Sequence, residues 1–323
     1  MESLLLMSIA GILRESFKIF TKNGKIFSFI AIITLFINSI QYFSNFYTIK
    51  PLIANLIMEG TVLKTFPENP ESPKIISHIT KDLKVFIGLE LIYFTIDTLL
   101  FLFLTSATIL AAALIHGGKQ NDLSFKNLLS KTLKSWFRVL ATWFFTFLFC
   151  VLFFFVFVIL VSVTALIFPN HSHLLLAAIP LGVSAMILYI YLSVTWNLAI
   201  VISAIEKTKG IEAIRKAGEI LKGMKLKGFL MNLLLCVVAV GLSSGIQMID
   251  WGKSQSFVVF KGVVVVYVRS LLNMYYFAVF TVIYYMCKKN HGERVDFEGS
   301  CSSGYAMVPT TTSIAPLVDD QLP

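Results

Sequence analysis

Six long apolar stretches alternate with polar segments whose positive charge switches from abundant to scarce at each crossing. The stretches cover residues 26–46, 85–115, 139–168, 174–205, 228–249 and 262–287. Each meets or exceeds the ~20 apolar residues a helix needs to cross a bilayer. In lipid, every backbone N–H and C=O has to be bonded within its own segment, so runs of this kind form helices and not open strands. The pattern predicts an all-α polytopic membrane protein: six transmembrane helices plus cytoplasmic interfacial amphipathic helices. The second, third and fourth stretches exceed the membrane thickness and must tilt, kink or protrude. Pro180 and Gly182 give the fourth a place to bend.

Charge sets the expected orientation. Most of the 27 Lys and Arg residues lie in the segments before the first span, between the second and third, between the fourth and fifth, and after the sixth. The positive-inside rule places those segments, and with them both termini, in the cytoplasm. The organelle is not specified. The division that follows is a cytoplasmic amphipathic segment over 1–25, a six-helix transmembrane domain over 26–287 and a disordered cytoplasmic tail over 288–323. The tail is expected to be disordered because it is rich in Ser, Thr and Pro and poor in large apolar residues. The loop from Tyr47 to Lys84, marked by Pro67, Pro70 and Pro73, reads as irregular. No cleavable signal peptide is expected, since Glu2 stands where a basic leader would begin.

A composition of 57% hydrophobic and 14% charged residues, with mean hydropathy +0.80, leaves no room for a separate soluble domain of ordinary size. The net charge of +9 is carried beside apolar spans. That placement favours anionic lipid of the inner leaflet as a partner, at about 1 kcal/mol per basic residue, and excludes nucleic acid.

A weak threefold pattern runs through the chain. A basic amphipathic segment precedes each odd-numbered span. The first sets Ile9, Leu13, Phe17 and Phe20 against Arg14, Lys18 and Lys22. The second sets Phe125, Leu129, Thr132 and Trp136 against Lys126, Lys131 and Lys134. The third sets Ile211, Ile214, Gly218, Leu221 and Met224 against Arg215, Lys216 and Lys222. The 3.6-residue period and the basic polar faces fit helices lying in the interface. Lys18, Lys22, Lys126, Lys134, Arg215, Lys216 and Lys222 are the candidate lipid-facing residues.

Inside the spans, Glu90 and Asp97 share one face of the second, and Arg269 and Asn273 lie in the sixth. At 1.5 Å per residue, Arg269 falls between the two carboxylates in depth. An ion-paired cluster joining the two spans is the favoured reading; a small-solute or ion pathway lined by the same groups is the alternative. Asn38, Asn197, Asn232 and Asn273 suit interhelical hydrogen bonds or a polar cavity.

Other motifs carry less. Gly241 to Gly245 match the G-x-S-x-G pattern of a nucleophile elbow, but inside an apolar helix the spacing suits close helix packing. His171 and His173, with His78, lack the further ligands a metal centre needs, and no cofactor is expected. Asn170 heads a glycosylation sequon beside the membrane. Cys287, just before Lys288 and Lys289, is a candidate lipidation site. Tyr305 and Val308 frame a tyrosine-based sorting signal through which the tail would bind cytoplasmic sorting or scaffold proteins.

Three stretches resemble an uncharacterised family of plant multi-pass membrane proteins. They are Gly11-Ile-Leu-Arg-Glu-Ser-Phe-Lys18, then Thr105-Ser-Ala-Thr108 through Lys119 into Lys134-Ser-Trp-Phe-Arg138, and Tyr305-Ala-Met-Val-Pro309. The segment from Trp196-Asn197 through Glu206, Gly210, Ala213-Ile214 and Leu221-Lys-Gly223 is similar to membrane domains found beside some bacterial glycerophosphodiester phosphodiesterases. The resemblance implies six spans and supplies no catalytic residue, because the metal-binding acids of the phosphodiesterase are absent. The expectation is a non-enzymatic membrane scaffold or trafficking factor.

Overall fold

A computed structural model of the chain describes residues 2–22, 24–65, 72–117, 124–167, 171–249 and 254–291. Eight helices and no strand occur among them. They are α1 (Glu2–Lys22), α2 (Gly24–Thr65), α3 (Ser72–His116), α4 (Phe125–Ile167), α5 (His171–Ile205), α6 (Ile211–Ile220), α7 (Lys225–Met248) and α8 (Gln255–Asn290). Six of the eight are long and apolar enough to cross a membrane. Their length and composition are consistent with an integral membrane protein.

The helices pair as three hairpins, α2–α3, α4–α5 and α7–α8, in a cyclic order. The second helix of each hairpin (α3, α5, α8) faces inward and touches the other two. The first helix of each lies outside, against its own partner and against the inner helix of the preceding hairpin. Thus α2 rests on α3 and α8, α4 on α5 and α3, and α7 on α8 and α5. The leading segments obey the same rule: α1 leans mainly on α8, and α6 on α5. The first turns of α4 lean on α3, where the Ser106 and Ser135 hydroxyls lie 2.9 Å apart. This order matches three repeated units, each a leading segment plus a hairpin.

The core sits at one end of the bundle. Residues 104–115 of α3, 198–205 of α5 and 277–284 of α8 are buried without a break. Small side chains permit this close approach, among them Ala107, Ala111, Ala112 and Ala113 on α3 and Ala199, Ser203 and Ala204 on α5. The basic segments surround this end. Toward the other end burial falls away, and large apolar side chains such as Phe154, Phe155 and Leu166 face outward, as expected for surfaces bathed in lipid.

Three expectations are corrected. Residues 125–138 form no separate interfacial helix; they are the first turns of α4, which runs unbroken to Ile167. No glycine, proline or cap interrupts that stretch, so the helix continues. The expected irregular loop from Tyr47 to Lys84 is largely helical, because α2 continues through Pro51 to Thr65 and α3 begins at Ser72. The two helices extend each other's hairpin there, and Ile49 stays buried. The buried stripes of the leading segments also differ in part from the expected faces, although Ile9 is buried and Leu13 and Phe20 pack against the core as expected. On α1 the buried residues are Ile9, Ile12, Ser16 and Ile19, while Phe17 is 63% exposed. A docked helix buries whichever stripe fits its neighbours, and Ser16 leaves no donor unmet because its hydroxyl bonds the Ile12 carbonyl. On α6, Ala213, Ala217 and Ile220 are buried and Ile211 faces out, while the expected Leu221 and Met224 just beyond it are buried and Ile214 packs against the core.

Candidate functional site at the basic end of the bundle

The loop after α5 brings a cluster of charged contacts together. Glu206 is the first residue past the apolar run of α5, so its carboxylate emerges where α6 and the end of α8 converge. Lys216 of α6 meets Oε2 at 2.6 Å. Lys288 of α8 meets Oε1 at 3.1 Å, and the Tyr284 hydroxyl donates to the same oxygen at 2.6 Å. The Glu206 and Lys288 side chains are only 10% and 8% exposed. Burial pushes the Glu206 carboxyl up, but the bonds from Lys216, Tyr284 and Lys288 together outweigh it and hold its pKa below the usual value. One carboxylate thus ties three helices together.

The chain turns sharply just beyond. Gly210 takes φ 63°, a region open to glycine at no steric cost. Its N–H donates to Thr142 Oγ1 at 2.9 Å, and a Cβ there would lie 3.1 Å from the Phe145 ring. The turn folds α6 back against the bundle. On the opposite side, Glu15 of α1 meets His116 of α3 at 2.9 Å, and the Tyr275 hydroxyl donates to the Leu13 carbonyl at 3.1 Å. Both leading helices are therefore clamped to the core, each through an inner helix.

A second polar knot lies deeper in the bundle. Asn197 donates to the Tyr276 hydroxyl at 2.7 Å, and Tyr276 donates to Asn232 Oδ1 at 2.7 Å. Asn232 donates in turn to Ser193 Oγ at 2.7 Å and to the Ile190 carbonyl at 3.0 Å. These bonds join α5, α7 and α8. Asn38 of α2 reaches Ser270 of α8 at 2.7 Å. Asn38, Asn197 and Asn232 thus make interhelical bonds of the kind their place in the spans suggested, whereas Asn273 takes part in none of these.

The anticipated charge cluster is not assembled. Among the described residues no ion pair joins Glu90, Asp97 and Arg269; Glu90 and Arg269 are exposed, while Asp97 and Asn273 are half-buried. The reason is that α2 lies between α3 and α8 at this level. Ser44 of α2 pairs with Tyr93 of α3 at 2.5 Å, and Asn38 of α2 pairs with Ser270. The sides of α3 and α8 that would have met each other meet α2 instead.

Of the basic residues, Lys18, Lys22, Lys126, Lys134, Arg215 and Lys222 are exposed. Lys216 is not presented outward, since it is bound to Glu206. Cys287 is fully buried with its thiol 3.8 Å from Met224 Sδ, so the expected lipidation site is closed to an acyl donor in this fold. Gly241 and Gly245 are exposed, and a Cβ at either would meet nothing within 4 Å among the described residues. Asn170, the side chains of His171 and His173, and the tail with Tyr305 and Val308 lie outside the described residues.

Similarity extends over the whole bundle and its leading helix, including both polar clusters: the pattern of a domain of unknown function, DUF8558, matches residues 1–301. The chain belongs to that family. No curated protein and no solved structure matches it.

Proposed function

We propose that this protein is a non-enzymatic multi-pass membrane protein whose basic end faces the cytoplasm and binds the anionic leaflet, with its tail open to sorting or scaffold partners. The observation that carries this reading is the mixture of side chains exposed at that end. Phe17 stands beside Lys18 and Lys22; Leu129, Leu133 and Phe137 beside Lys126 and Lys134; Ile211 and Leu226 beside Arg215 and Lys222. Apolar groups interleaved with ammonium and guanidinium groups suit the headgroup boundary, where each finds a matching environment. Transport through Glu90, Asp97 and Arg269 draws no support from their separate placements. From the resemblance to plant proteins and to phosphodiesterase-associated membrane domains we carry over neither a source nor an activity.

The test is lipid retention by the detergent-solubilised full chain, read by native mass spectrometry in mixed phosphatidylserine and phosphatidylcholine. Phosphatidylserine is expected to be retained preferentially, and charge reversal at Lys18, Lys22, Arg215 and Lys222 together with Lys126 and Lys134 is expected to abolish the preference. Equal retention of both lipids by the unaltered protein would remove the lipid reading.

A further inference from the structure

We infer that the first turns of α4 carry a site for one phosphomonoester lipid headgroup. Lys126, Leu129, Ser130, Leu133 and Lys134 line a shallow, widely open groove along one face of α4. Lys126, Ser130 and Lys134 recur every fourth residue and so stack along one side of the helix. Each lysine stands one turn, about 6 Å along the axis, from Ser130, within reach of its flexible stem. A phosphate seated over Ser130 therefore meets an ammonium from each side and a hydroxyl from below. Leu129, Leu133 and Phe137 form a second, apolar row beside the first, and Leu133 and Phe137 are 53% and 69% exposed.

The chemistry of the groove selects its occupant. A phosphomonoester carries about −1.5 to −2 charge at pH 7 and three acceptor oxygens. Two lysines match that charge, whereas a diester headgroup offers only one negative phosphate. A free phosphate would leave the apolar row facing water. A lipid covers it, because α4 continues without a break from the groove into its membrane-crossing part. The glycerol and the start of the acyl chains would then lie over Leu133 and Phe137.

This site rests on the lipid reading above, and the experiment separates the two. The full chain in detergent is titrated with phosphatidic acid, phosphatidylserine, phosphatidylcholine and glycerol 3-phosphate, with bound lipid read by native mass spectrometry. Phosphatidic acid is expected to bind about tenfold tighter than phosphatidylserine, and Lys126→Gln/Lys134→Gln is expected to lower its affinity about tenfold or more. Lys18→Gln/Lys22→Gln, which removes the same charge from α1, is expected to leave the preference intact. Ser130→Ala is expected to weaken phosphatidic acid binding several-fold. If both anionic lipids bind equally, or if the α4 variant keeps the preference, the site is overturned while the lipid reading stands. If neither anionic lipid outcompetes phosphatidylcholine, both fall. Glycerol 3-phosphate displacing phosphatidic acid at equal concentration would show a free-phosphate site and overturn the lipid assignment.

Discussion

Asn232, wholly buried on α7, accepts the hydroxyl proton of Tyr276 on α8 at 2.7 Å, and its own amide hydrogens go to Ser193 and Ile190 of α5. One side chain thus links an outer helix to both inner helices that it touches. Interhelical hydrogen bonds of this kind contribute about 1 kcal/mol each. Asn232→Leu is expected to lower stability by about 1–3 kcal/mol, since it also leaves the Tyr276 hydroxyl without its acceptor. Adding Tyr276→Phe removes that orphaned donor, so the double variant is expected to lose less than the sum of the two single changes. Thermal denaturation in detergent, run as a double-mutant cycle, checks this; simple additivity would contradict the coupling.

Glu206 makes a different kind of link, because its partners are charged and largely dry. Glu206→Gln removes a charged partner of the buried Lys288 and is expected to destabilise by about 3 kcal/mol, the range seen when one partner of a buried pair is removed. Lys216→Met, at a more exposed position, is expected to lose less, about 1 kcal/mol. The pH dependence follows from the sign of the shift. The folded carboxyl titrates below its unfolded value, so the stabilisation is complete above about pH 4.3 and is lost as pH falls through the folded pKa. Stability measured from pH 8 to pH 5 is therefore expected to show no step that Glu206→Gln abolishes, while the acid limb below that range shifts in the variant.

The six apolar helices were readable because a bilayer-crossing segment depends on local composition alone. The three-unit order was partly readable, from the basic segments before each outer helix. What escaped was lateral and rotational. Hydropathy places Glu90, Asp97 and Arg269 at similar depths, but depth does not say that α2 wedges between their helices. Amphipathic periodicity on α1 picks Phe17, yet the stripe that packs is Ile12, Ser16 and Ile19, because fit to α3 and α8 matters more than side-chain size. In the sequence, Glu206 was legible only as part of the stretch from Trp196 to Gly223 that carries the second resemblance. That it gathers Lys216, Lys288 and Tyr284 depends on the return of α6 through the Gly210 turn.

That turn supplies its own test. At φ 63° an alanine is strained, and its methyl would also press on Phe145. Gly210→Ala is expected to destabilise by about 1–2 kcal/mol. Phe145→Leu in the same chain relieves only the contact, so a substantial part of the loss is expected to remain. The Lys216–Glu206 link lies six residues beyond the turn, and Gly210→Ala is expected to shrink the effect of Lys216→Met as α6 loosens. Thermal denaturation of the four variants reads both expectations; a neutral Gly210→Ala would mean that the turn adopts another conformation.

Cys287 separates burial from mere membrane proximity. Its thiol lies against Met224 with no exposed surface, although Lys289 two residues on is exposed. In a chain whose Cys150, Cys236 and Cys301 are replaced by Ala, a water-soluble maleimide is expected to leave Cys287 unmodified in mild detergent and to label it fully after denaturation. A cysteine placed at Lys289 in the same background is expected to react under native conditions, which shows that the reagent reaches this end of α8. Met224→Gly should open the contact and raise the Cys287 labelling rate without comparable change at position 289. Rapid native labelling of Cys287 in the unaltered packing would mean that the end of α8 detaches from the turn before α7.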